Sequence, residues 1–138
     1  MPGTQLTPGT LFGELAPFTV LGTAAGTLGG FSAWRILAYP TKVDAALALF
    51  NINQIQLARH LIASYLNFKK VGPTFPLTIA HMTDMWVNGS VDQYCPLGTG
   101  CTPAQKWTAQ QVVCYLRNYT MDQASLSTDP VTWVCTGI

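Results

Sequence analysis

Apolar side chains recur at helical spacing over residues 42–68: Val43, Ala46, Leu47 and Phe50, then Ile55, Ala58, Leu61, Ile62, Tyr65 and Leu66. The phase slips at Asn51-Ile52-Asn53, which predicts two helical pieces. Asn53 can cap the second, with Gln56 three residues on as the return partner. Gly72-Pro73 ends the section. A further helix is predicted after Thr78 as N-cap, with Leu77 and Met82 placed to staple its start. Ile79, Met82, Met85 and Trp86 share its face, and Asn88-Gly89 closes it. Thr102-Pro103 and Thr108 are both helix starts. Thr108 has Gln111 at the capping-box offset and Trp107 placed to staple Val112. Val112, Tyr115, Leu116 and Tyr119 form the apolar face that follows. Residues 131–135 alternate like a strand.

The first 34 residues follow neither period. Pro2, Pro8, Pro17 and frequent Gly argue against a long helix. Phe18 to Leu21 and Gly30 to Trp34 are short β-prone runs. The expected fold is mainly α: a small helical core over 35–138, an extended apolar arm over 1–34, a short C-terminal strand and disulfide staples. Leu61, Ile62, Leu66, Met82, Trp86, Val112 and Leu116 should form the core. One domain of 138 residues can bury such a core without further help.

Composition changes what this fold is expected to do. Charged residues make up 9% of the chain and apolar ones 49%, with net charge +1. An average domain carries about 25% charged residues. Repulsion between copies is therefore weak, and the surface suits an assembly. The apolar arm residues Leu11, Phe12, Leu15, Phe18, Val20, Leu21, Leu28 and Phe31 are the expected self-association set. An extended arm that crosses to the next copy makes a heterologous contact, and such a contact builds filaments. Deleting residues 1–30 should then leave the helical core folded. Beyond Lys69-Lys70 there is no basic run, which excludes a nucleic-acid footprint. Glu14, Pro17 and five Gly interrupt residues 11–31, so no membrane span is expected there. The start lacks a basic region of the signal-peptide type, so an exported chain would be the mature form.

Cys95, Cys101, Cys114 and Cys135 are even in number and fit an oxidising compartment. Four cysteines allow three pairings. Cys95 and Cys101 bracket a turn-rich loop, Pro96 to Gly100, which favours joining them, and Cys114 would then pair with Cys135. No C-x-x-C spacing supports zinc.

Candidate chemistry is sparse. His81 and Asp84 lie three apart on one helix and can pair as base and orienter, with Ser90 or Cys95 as nucleophiles only by arithmetic. No carboxylate sits at helical spacing from His60. Met82 and Met85 beside His81 are soft donors for Cu(I), although methionine more often fills core gaps. No enzyme, metal or cofactor is expected. Trp34, Trp86, Trp107 and Trp133, with five Tyr, can serve as sugar-stacking platforms or as core. Asn88-Gly89-Ser90 and Asn118-Tyr119-Thr120 are sequons.

Leu57 to Asn67, followed by Phe75 to Ala80 and Met82, resembles the helical core of secreted bacterial surface proteins that open with a Gly-Tyr-Trp-Lys motif. That resemblance implies an exported, helical, surface-associated domain. The expected role is a structural subunit of an extracellular surface filament or layer, with other copies of the chain as partners. The alternatives are an extracellular module that binds a glycan through exposed aromatics, and a capsid or decoration protein. Non-reducing peptide mapping should find Cys95–Cys101 and Cys114–Cys135, and four free thiols would remove the case for an oxidising compartment.

Overall fold

The computed structural model describes residues 6–24 and 26–117. Four α-helices carry the core: α1 Ala33–Ala38, α2 Ile52–Val71, α3 Ile79–Gly89 and α4 Ala109–Tyr115. Short 3-10 turns fill the connections. Among the described residues there is no sheet, only two isolated antiparallel bridges, Leu11 with Ser32 and Tyr94 with Trp107. The mainly helical class is as expected. The predicted strand at 131–135 lies outside the described residues.

Local chemistry sets most helix ends. The Thr78 hydroxyl accepts from the His81 N–H at 3.1 Å and starts α3. The Thr108 hydroxyl accepts from the Gln111 N–H, while the Gln111 side chain accepts from the Thr108 N–H at 2.8 Å. At α2 the cap is Asn51, not Asn53: the Asn51 carboxamide accepts from the Asn53 N–H at 2.8 Å. The helical piece predicted over 43–50 shrinks to one 3-10 turn, Leu47–Leu49. Asp44 caps that turn by accepting from the N–H groups of Ala46 and Leu47. Val43, expected on a helical face, is 90% exposed. Residues 33–38, taken in part for a β-prone run, are helical because Ser32 accepts from the Arg35 N–H at 3.2 Å.

α2 is the central element and packs against α1, α3 and α4. Ile55, Leu57, Ala58, Leu61 and Ile62 on it are fully buried. Met82, Trp86, Val112 and Leu116 join them, while Leu66 packs half-buried at the margin.

The N-terminal segment departs most from expectation. It is not an extended arm. Residues 12–14, 16–21 and 28–30 form three 3-10 turns that fold back over α3. The Phe12 ring stacks on Phe18 at 4.7 Å and meets Trp86 edge-on at 4.8 Å. Phe18 in turn reaches Tyr65 of α2 at 6.3 Å. The Thr83 hydroxyl of α3 donates to the Pro17 carbonyl at 2.6 Å. The segment's two ends are tied together by Phe12 N–H to Phe31 O and Ala33 N–H to Thr10 O, both 2.9 Å.

Glycine makes this compaction feasible. A Cβ on Gly13 would stand 2.3 Å from the Gly22 carbonyl oxygen, and one on Gly29 2.0 Å from the same atom. Three backbone strands converge there with no room for a side chain.

The segment therefore belongs to the core, and removing residues 1–30 would strip its aromatic cover rather than free an intact domain. Phe12→Ala should lower the free energy of unfolding by about 3–5 kcal/mol. Urea denaturation showing a loss below about 0.5 kcal/mol would place Phe12 outside the core.

Candidate functional site

The residues expected to drive self-association are mostly spent within the chain. Phe12, Leu15, Phe18 and Leu28 are buried, and Leu11 and Phe31 are half-buried. Val20, at 65%, and Leu21, at 52%, stay exposed. Cys95 and Cys101 are joined by a disulfide. Cys114 is also disulfide-bonded. Its expected partner, Cys135, lies outside the described residues.

The side chains weighed for catalysis or metal binding, His81, Asp84, Met82 and Met85, have structural surroundings. His81 Nδ1 accepts from the Thr78 N–H at 3.3 Å, so His81 serves the α3 cap rather than Asp84. Asp84 accepts instead from the Asn88 carboxamide. That bond also ties up the sequon Asn88; Asn118 of the second sequon lies outside the described residues. Met82 and Met85 lie in the core. Among the described residues no group of three or more His, Cys, Asp or Glu converges. No described helix is long and apolar enough to cross a membrane.

His60 points its Nδ1 at the Gln56 carbonyl, 2.8 Å away within α2. Burial is the main cause that holds its pKa below the usual histidine value, with the nearby cations Arg59 and Arg117 adding to the effect. Burial acts in the opposite direction on Tyr94, whose charged form is the anion, and its pKa is pushed up to about 12.

Among the described residues, two surface clefts have the size and lining to be weighed as sites. A polar one of about 270 Å³ lies beside the disulfide loop, lined by Asp84, Asn88, Gln93, Lys106 and residues 95–101. Its side chains satisfy one another: Asn88 donates to Asp84 and Lys106 donates to Gln93 at 3.3 Å.

The second cleft is larger, about 510 Å³, and lies between α1 and the loop that follows it. Trp34, Arg35, Ala38, Lys42, Val43, Asp44 and Ala45 line it. Its walls are built by a relay of contacts. Phe50 meets Phe31 edge-on at 5.4 Å, and the Arg35 guanidinium lies over the Phe31 ring at 4.7 Å. Arg35 then grips Asp44 through Nε and Nη2, each at 2.9 Å. That bidentate pair holds the Asp44 carboxyl below the usual carboxylate range. Asp44 fixes the turn at residues 46–47. The groove is thus held in shape before any ligand arrives.

Trp34 is 52% exposed at this groove, whereas Trp86 and Trp107 are buried at 5% and 3%. Ala33 and Ile36 form the buried side of α1, which leaves Trp34 on its open side. The sequence offered four tryptophans without a means to choose among them. The cap at Ser32, which fixes the phase of α1, is the signal that could have done so.

Comparison of the chain with protein-family models, with curated proteins and with solved structures finds no match.

His60 supplies a pH test of the fold. Its folded pKa lies below the unfolded value of about 6.5, so the stability it confers is present above that pH and lost as pH falls through the folded value. Urea unfolding at pH 7 and pH 5 should show a larger loss for the wild type than for His60→Gln. Equal losses would contradict the buried neutral imidazole.

Proposed function

We propose that this chain is a non-catalytic, extracellular binding module that engages saccharides through the Trp34 groove. The observation that carries this is the half-exposed Trp34 beside a preorganised polar pair, Arg35 and Asp44, on a surface otherwise poor in charge. A flat aromatic face offers stacking area at low entropic cost, and polar groups fixed around it give orientation. Ala38 and Ala45 keep the groove free of bulky side chains. The inward folding of the N-terminal segment favours a self-contained binding module over a subunit that lends its arm to a neighbour. The structural duties of His60 and His81 favour binding over catalysis. The disulfides support an oxidising location, and low charge suits a domain crowded among neighbours at a cell surface. The resemblance of Leu57 to Asn67, Phe75 to Ala80 and Met82 to a helical core of exported surface proteins agrees with that placement.

On an oligosaccharide array the intact chain should retain at least one class of saccharide. Trp34→Ala should weaken that binding by about tenfold or more, about 1.4 kcal/mol, with the helical circular dichroism unchanged. An array on which nothing is retained, or retention that Trp34→Ala leaves intact, would refute the assignment.

A further inference from the structure

The groove's polar groups are asymmetric in a way that narrows the ligand. Among the described residues Asp44 is the one carboxylate lining it, and both of its oxygens accept hydrogen bonds. Oδ1 accepts from Arg35 Nη2 and from the N–H groups of Ala46 and Leu47, and Oδ2 accepts from Arg35 Nε. The Ala38 carbonyl is likewise taken by the Lys42 N–H at 2.9 Å. The donors are not used up. Arg35 spends only Nε and Nη2 on Asp44, which leaves Nη1 without a hydrogen bond among the described residues. Lys42 lines the same groove, is exposed, and makes no side-chain hydrogen bond or ion pair among the described residues. A ligand seated against Trp34 therefore meets the spare donors of Arg35 and Lys42 and one net positive charge, which favours a ligand that brings acceptors and negative charge.

Resting on the saccharide assignment above, we propose that the Trp34 groove selects acidic saccharides, with Lys42 Nζ and Arg35 Nη1 receiving the carboxylate or sulfate of a sugar ring that lies against Trp34. An acidic peptide fits less well. Strand addition needs an open sheet edge, and the described residues hold only isolated bridges. Helix docking needs a long apolar trough, whereas among the described residues Trp34 and Val43 are the only large apolar side chains lining this groove.

The test is a binding series on the full chain. The probes are uronate and sulfated oligosaccharides, each beside its methyl-esterified or desulfated counterpart, together with poly-glutamate. The acidic saccharides should bind about tenfold more tightly than their neutral counterparts at low salt, and the difference should shrink as ionic strength rises. Lys42→Gln should remove most of that preference, and Lys42→Glu should reverse it, each read as the ratio of acidic to neutral binding. Lys42 is exposed, so both variants should fold, which circular dichroism would check. Equal binding of acidic and neutral forms, or no effect of either Lys42 variant, would overturn the inference and leave the saccharide assignment standing. Poly-glutamate binding as tightly as the acidic saccharides would also overturn it, because charge alone would then suffice. Absence of binding by every saccharide would overturn both.

Discussion

The packing of Phe12 between Phe18 and Trp86 is the contact on which the rest of the architecture depends. Its ring lies 4.7 Å from that of Phe18 and 4.8 Å from that of Trp86, and Phe18 extends the cluster to Tyr65. Those contacts join the Phe12–Phe18 stretch to α2 and α3, elements far along the chain. Without them the exposed faces of Trp86 and Tyr65 would open a hydrophobic patch on a protein with little charge to keep it dispersed. With them, the segment is cover for the core. The low charge of the chain then becomes a property of its surface rather than a sign of an unpaired arm.

This arrangement also decides where binding can occur. Once the N-terminal aromatics are inside, Trp34 is the tryptophan left half-open among those described. The same segment helps to build its groove. Phe31, at the end of the folded-back stretch, supports Arg35, which holds Asp44 and through it the turn that follows α1. Core and groove are thus coupled through adjacent residues, Phe31 to Arg35.

Local signals were legible in the sequence. The Thr78 cap and the Thr108–Gln111 capping box act over three residues, and each is a side chain bonding its own helix start. The long apolar period of α2 was legible for the same reason, and the short Cys95–Cys101 loop announced its own closure. What could not be read was the partner of the N-terminal aromatics. Leu11 to Phe31 show apolar character, but nothing local states whether they cover another chain or their own. The deciding contact, Thr83 to Pro17, spans a sequence separation of 66, and the approach around Gly22 depends on small residues at Gly13 and Gly29. Asp44 misled in a related way. Its neighbours Val43, Ala46 and Leu47 keep helical spacing, yet its carboxylate is drawn to Arg35 and closes a single turn instead.

The N-terminal aromatics belong to the core of their own chain. Nuclear Overhauser contacts between the Phe12 ring and the Trp86 indole test it directly, measured in a uniformly labelled sample and in an equal mixture of labelled and unlabelled chains with isotope filtering. The account predicts strong Phe12–Trp86 contacts in the uniform sample and none between chains in the mixed one. Contacts that appear between chains in the mixed sample would contradict it and return the segment to the role of an exchanged arm.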